Sequence, residues 1–114
     1  MNITKHIALG CIILAITSCE NKPKIHANKT SIFKVWGNCE MCKETIESSL
    51  KVDGIAKVDW NTETKRIDVN FDSTKINLDQ IKKNIASVGY DNDTYKGDET
   101  AYTNLHECCK YERK

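Results

Sequence analysis

An α+β fold, with two helices over one face of an antiparallel sheet in the order β-α-β-β-α-β, is predicted from three observations. Two stretches repeat apolar residues at helical spacing, Cys42, Ile46 and Leu50 in one and Leu78, Ile81, Ile85 and Val88 in the other. Between them lie two strand-like runs, the second alternating through Ile67, Val69 and Phe71. Gly37, Gly54, Gly89 and Gly97 fall at the borders of these segments, where the chain has to turn.

Before the first element, Lys5 is followed by a short apolar run from Ile7 to Ile16 and by Ile16-Thr17-Ser18-Cys19. The run is too short to span a bilayer as a mature helix, and a basic start, apolar centre and small exit residues describe a secretory signal. The exit resembles the lipobox of bacterial lipoproteins, which implies lipidation of Cys19 and a protein facing the periplasm or cell surface while anchored in a membrane. The expected organisation is residues 1–18 as signal, 19–30 as a polar tether holding Pro23 and His26, 31–97 as the folded domain and 98–114 as a tail.

The first strand is expected over Ile32-Phe33-Lys34-Val35-Trp36, where β-branched and aromatic residues run into Gly37. Cys42, Ile46 and Leu50 then give the first helix an apolar stripe, with Lys43, Glu44, Glu47 and Lys51 opposite and Asp53-Gly54 as its stop. Val58-Asp59-Trp60, a turn at Asn61-Thr62-Glu63-Thr64, and Lys65 to Phe71 make a hairpin. The second helix runs from Leu78 to Val88, with Asn77 and Gln80 spaced as a capping box and Gly89 as its terminator. A last strand is expected over Asn92–Lys96. This order is that of the ferredoxin-like split βαβ.

Composition narrows the function. The 114 residues carry 17 basic and 16 acidic side chains, and loss of Lys5 with the signal leaves a formally neutral chain. No basic field points to a nucleic-acid partner. With Cys11 removed and Cys19 lipidated, Cys39, Cys42, Cys108 and Cys109 remain for chemistry, and an exported protein can also use such cysteines as structural disulfides.

Cys39-Glu40-Met41-Cys42 sits where the first strand gives way to the first helix. Two thiols at i and i+3 lie on one side of the backbone there, and free N–H groups with the helix dipole favour their thiolates. That serves both soft-metal binding and thiol-disulfide exchange. A thioredoxin-like redox pair also needs a proline facing its cysteines, and no proline follows Pro23.

From Ile32 to Tyr90 the chain resembles the heavy-metal-associated domain of copper chaperones, copper-exporting ATPases and periplasmic mercury-binding proteins. The matching features are Cys39-x-x-Cys42, Val52-Asp53-Gly54-Ile55 and Val88-Gly89-Tyr90. Where the family usually has Gly-Met-x-Cys, this chain has Trp36-Gly37-Asn38-Cys39. The resemblance implies a metal-binding protein without catalytic turnover, exchanging its ion with a protein partner through Cys39 and Cys42. Cu(I) is the expected ion, and Zn(II), Hg(II), Ag(I) and Cd(II) are the other thiophilic candidates. A thiol-disulfide oxidoreductase or redox sensor using the same cysteines is the alternative. Tyr90 is expected beside the site, as packing or as a hydrogen-bond donor to a cysteine sulfur.

Outside this resemblance, His106, Cys108 and Cys109 stand together as soft-metal donors. A last strand would carry the chain roughly 20 Å away from the cysteine loop. From Gly97 to Cys108 the chain reaches about 36 Å extended but only about 16 Å as a helix. A partly extended tail, or a short helix around Thr100 to Leu105, would let these residues return and complete the coordination of an ion held by Cys39 and Cys42.

Overall fold

A hairpin whose second strand is central in the sheet explains most of the architecture, which a computed structural model describes over residues 25–114. Strands β2 (Ile55–Trp60) and β3 (Arg66–Phe71) pair antiparallel, with Trp60 opposite Ile67 and an irregularity between Ile55 and Lys57. Asn61 builds their turn: its side chain accepts from the amides of Glu63 and Thr64 at 2.8 and 2.9 Å, and Lys65 takes a left-handed conformation at φ 59°. Strand β1 (Lys29–Lys34) lies antiparallel on the other edge of β3, Lys29 opposite Phe71 and Lys34 opposite Arg66, giving the order β1-β3-β2. The segment expected to be a signal and the expected lipidation site Cys19 lie outside the described residues.

Helix α1 (Glu40–Ser48) and helix α2 (Leu78–Ser87) supply the other half of the core. Cys42, Ile46 and Leu50 pack with Ile81, Ile85, Phe33, Val35, Trp60, Ile67, Val69 and Phe71, all buried. Each fully buried aliphatic side chain contributes about 1.5–3 kcal/mol. The capping box of α2 is complete: Asn77 accepts from the Gln80 amide at 2.8 Å, and Gln80 accepts from the Asn77 amide at 3.3 Å.

Three of the differences from the sequence expectation have local causes that can be named. Strand β1 starts earlier than Ile32, because Asn28 already donates to the Phe71 carbonyl at 3.1 Å and its side chain donates to Ser73, so the end of the expected tether joins the sheet. Helix α1 stops at Ser48, well before Asp53-Gly54. The Ser49 hydroxyl bonds the Ile46 carbonyl at 2.6 Å, and the Leu50 and Lys51 amides tighten into i→i−3 bonds. Leu50 stays buried, now on a turn rather than a helix.

The third difference matters most for the site. The expected strand over Asn92–Lys96 is reduced to one bridge between Asn92 and Val35, beside a bond from the Trp36 amide to the Asp91 carbonyl. Asn92 turns the chain at once, its side chain accepting from the Thr94 and Tyr95 amides at 3.1 and 2.9 Å. Asp91 then accepts from the Gly97 amide at 2.6 Å and closes the loop. A Cβ on Gly97 would lie 2.5 Å from the Gly89 carbonyl carbon, so only a glycine lets the chain return this closely. The chain therefore never travels to the far edge. It enters α3 (Glu99–Thr103) close to where it left α2, and a single 3-10 turn (Glu107–Cys109) follows.

Candidate metal centre

Trp60 holds up the cysteine loop. Its indole N–H donates to the Val35 carbonyl at 3.1 Å, and its ring lies so close to Gly37 that an added Cβ would stand 2.9 Å from two ring carbons. From the turn side, the Lys65 ammonium donates to the Asn38 carbonyl at 3.2 Å. The loop is thus fixed against the β2-β3 hairpin before it enters α1. Lys43, one residue past the second cysteine, bonds Asp59 at 2.7 Å, Glu47 at 2.9 Å and the Trp60 carbonyl at 2.8 Å, pinning the first turn of α1 to β2.

Cys39 occupies the N-cap of α1 in an extended conformation, and its carbonyl accepts the first helical bond from Lys43 at 3.0 Å. Its thiol is held below its ordinary pKa, first by the Cys42 backbone N–H and also by the Met41 N–H, which outweigh the opposing effect of burial. Cys42 is fully buried, and its sulfur accepts from the Asn38 amide at 3.4 Å. One partly accessible and one buried sulfur therefore share the helix start.

The tail lies on this loop. The Asn38 side-chain amide donates to the Cys108 carbonyl at 3.4 Å, the Cys39 thiol faces the same carbonyl at 3.8 Å, and Cys42 Sγ is 4.0 Å from the Cys109 carbonyl. The sulfurs of Cys39, Cys108 and Cys109 all lie within 4.8 Å of one another. Cys108 is exposed, whereas Cys109 is buried. Burial, with the sulfurs of Cys42 and Cys108 beside it, pushes the Cys109 thiol up to about 12, so an incoming ion has to displace its proton.

The tail is fastened downstream of these cysteines. Tyr111 is buried, stacked on Tyr90 with ring centroids 5.3 Å apart and edge-on to Tyr102 at 5.2 Å. Its hydroxyl donates to the Gly89 carbonyl at 2.7 Å and accepts from the Asp91 amide at 2.8 Å. Arg113 donates to the Asp91 carboxylate and to the Gly97 carbonyl, both at 2.7 Å. Burial alone would raise the Asp91 pKa. The Arg113 guanidinium and the amides of Gly97 and Lys114 outweigh it and hold the carboxyl below its usual range.

Of the residues expected at the site, Cys39, Cys42, Cys108 and Cys109 come together. His106 does not join the converging sulfurs. It is exposed and caps the 3-10 turn, its carbonyl accepting the Cys109 amide at 2.8 Å. Tyr90 is buried, and its hydroxyl has no hydrogen-bond partner among the described residues. Burial raises its pKa, and the neighbouring sulfurs of Cys42 and Cys109 raise it further. Asp91, Tyr111 and Arg113 escaped the sequence reading. Asp91-Asn92-Asp93, an acidic run unsuited to a strand, was the available signal for a turn.

Comparison with known proteins matches residues 37–91 to the heavy-metal-associated domain model. The copper chaperone CopZ of Staphylococcus aureus is 36% identical over 55 residues, which is 47% of this chain and 81% of that protein. Among solved structures, a CopZ metallochaperone superposes with TM-score 0.54 at 35% identity, covering 56% of this chain and 98% of its own. A copper-binding domain of the P-type ATPase HMA7 gives TM-score 0.54 at 26% identity, covering 56% and 89%. The matched span takes in both cysteines of the loop and ends at Asp91, before α3 and the tail cysteines. With its CxxC on the first helix of this α+β scaffold and that extent of match, the chain belongs to the heavy-metal-associated domain family.

Proposed function

We propose that this protein captures a soft metal ion, Cu(I) in preference to Zn(II), Hg(II), Ag(I) or Cd(II), through Cys39 and Cys42, and passes it to the thiolates of a protein partner. The observation that carries this reading is the pair of sulfurs at the start of α1, one accessible with a lowered pKa and one buried and hydrogen-bonded. Relatives named as copper chaperone and copper-binding domain support Cu(I) as the ion. Thiolate ligands favour monovalent copper over harder ions. The protein is a carrier rather than an enzyme: Cys39, at the accessible edge, meets an incoming thiolate, while Cys42 holds the ion from below.

The carrier works outside the cytoplasm on a lipid anchor at Cys19. Support comes from Lys5, the apolar run Ile7–Ile16 and the Ser18-Cys19 junction. Titration of the reduced chain with Cu(I) against a competing chelator tests the binding, with Cys39→Ser expected to remove most of the affinity. A reduced chain that takes no Cu(I), Zn(II) or Hg(II) from the chelator ends the metal reading. Cys19→Ala is expected to leave the membrane fraction, and equal retention of that variant ends the anchor.

A further inference from the structure

We propose that Cys39, Cys108 and Cys109 form a three-thiolate site for a soft ion, with Cys42 outside it. The inference rests on the loop being a soft-metal site and assigns that site a second ligand set.

Geometry is the first argument. A metal–thiolate bond of about 2.3 Å in a trigonal arrangement sets sulfurs about 4 Å apart. Cys108 and Cys109 are already 3.9 Å apart, and the three sulfurs stay within 4.8 Å. Closing the triangle requires less than about 1 Å of movement, which side-chain rotation at the exposed Cys108 and the partly exposed Cys39 supplies.

Packing alone does not account for this convergence. Cys109 is 2% exposed and would be at home in a core without any ion. Cys108 is exposed, contributes nothing to the core, and still has its sulfur beside Cys39 and 3.4 Å from the Met41 thioether, a further soft donor. The peptide carrying both tail cysteines is held in register by the Asn38 bond to the Cys108 carbonyl, and downstream by Tyr111 and Arg113. Cys42 is fully buried and accepts the Asn38 amide, and its sulfur is not one of the three that lie within 4.8 Å of one another.

Cys39 is common to both ligand sets. An ion held by Cys39 and Cys42 can take Cys109 and then Cys108 as Cys42 leaves, without quitting the protein. Each thiol that binds releases one proton to solvent, and no oxidant or reductant is involved. Two thiolates leave a soft ion open to exchange. Three fill a trigonal shell, so the docked tail retains the ion and a partner has to compete with it.

X-ray absorption on the reduced full chain, loaded anaerobically with half an equivalent of Cu(I), counts the sulfurs. Three are expected in the native protein and in Cys42→Ser, and two in Cys108→Ser, a variant whose exposed site leaves the core intact. Two sulfurs in the native protein, unchanged in Cys108→Ser, overturn the three-thiolate site while the loop reading stands. Four in the native protein, falling to three in Cys42→Ser, overturn the exclusion of Cys42. Failure of the native protein to retain Cu(I) overturns the loop reading and this inference together.

Discussion

Arg113 donates to the carboxylate of Asp91 at 2.7 Å across 22 residues of sequence, and Asp91 is fully buried beneath it. The pair fastens the end of the chain to the segment just after α2, upstream of which the tail cysteines meet the metal loop. Arg113→Ala leaves a buried carboxylate with two backbone amides as its remaining donors. Removing one member of a buried pair costs about 3 kcal/mol. Urea denaturation is expected to show that loss, together with faster proteolysis after Tyr102. An unchanged midpoint would mean that the tail contributes nothing to the fold.

Acid should undo the same fastening. The folded pKa of Asp91 is depressed, so its contribution to stability is fully present above the unfolded value of about 3.9 and is lost as pH falls through the lower folded value. Thermal melts from pH 7 to pH 2 are expected to show little change down to about pH 4 and a steep fall below it. Asp91→Asn, which starts less stable, should show a shallower fall. Parallel curves for the two proteins would assign the acid transition to other carboxylates.

The parts of the fold legible in sequence are those whose causes are local. The stripe Cys42-Ile46-Leu50, the alternation Ile67-Val69-Phe71 and the box Asn77-Gln80 each record a burial pattern or cap within a few residues; the alternation and the box are found as read, and the stripe is buried throughout although Leu50 lies on the turn after α1. The loop in place of a last strand is not legible because local extended propensity says nothing about the pairing of Asp91 with Gly97 and Arg113, which closes it. Likewise Cys39 and Cys42 announce themselves by spacing, and the donor types in the tail are equally plain. That Cys109 rather than His106 turns inward depends on Tyr111 stacking on Tyr90, a contact between segments about twenty residues apart that no periodicity encodes.

Gly37 should prove intolerant of any side chain. A Cβ there would stand 2.9 Å from two carbons of the Trp60 ring, and that ring is fixed by its bond to the Val35 carbonyl. Overpacking of this kind costs about 1–3 kcal/mol. Gly37→Ala is expected to lose that much in denaturant and to move the loop, seen as shifted amide resonances for Asn38 and Cys39. A variant as stable as the native protein, with those resonances in place, would show that Trp60 does not hold the loop rigidly.

Tyr90 gives the clearest separation between folding and metal binding. Its hydroxyl is buried and has no hydrogen-bond partner among the described residues, although the sulfurs of Cys42 and Cys109 are close enough to raise its pKa. A buried hydroxyl without a partner costs about 1–3 kcal/mol of desolvation, so Tyr90→Phe should fold at least as stably as the native protein when metal-free. Loading changes the balance. A thiolate is a stronger acceptor than a thiol, and a bond from the hydroxyl to the charged sulfur stabilises the metal-bound state. The variant is therefore expected to match or exceed native stability without metal and to bind Cu(I) several-fold more weakly. Denaturation of the metal-free forms and chelator competition on the loaded ones read the two effects separately. Equal Cu(I) affinity would leave Tyr90 as packing beneath Tyr111, and a marked loss of metal-free stability would reveal a partner for the hydroxyl, such as a buried water.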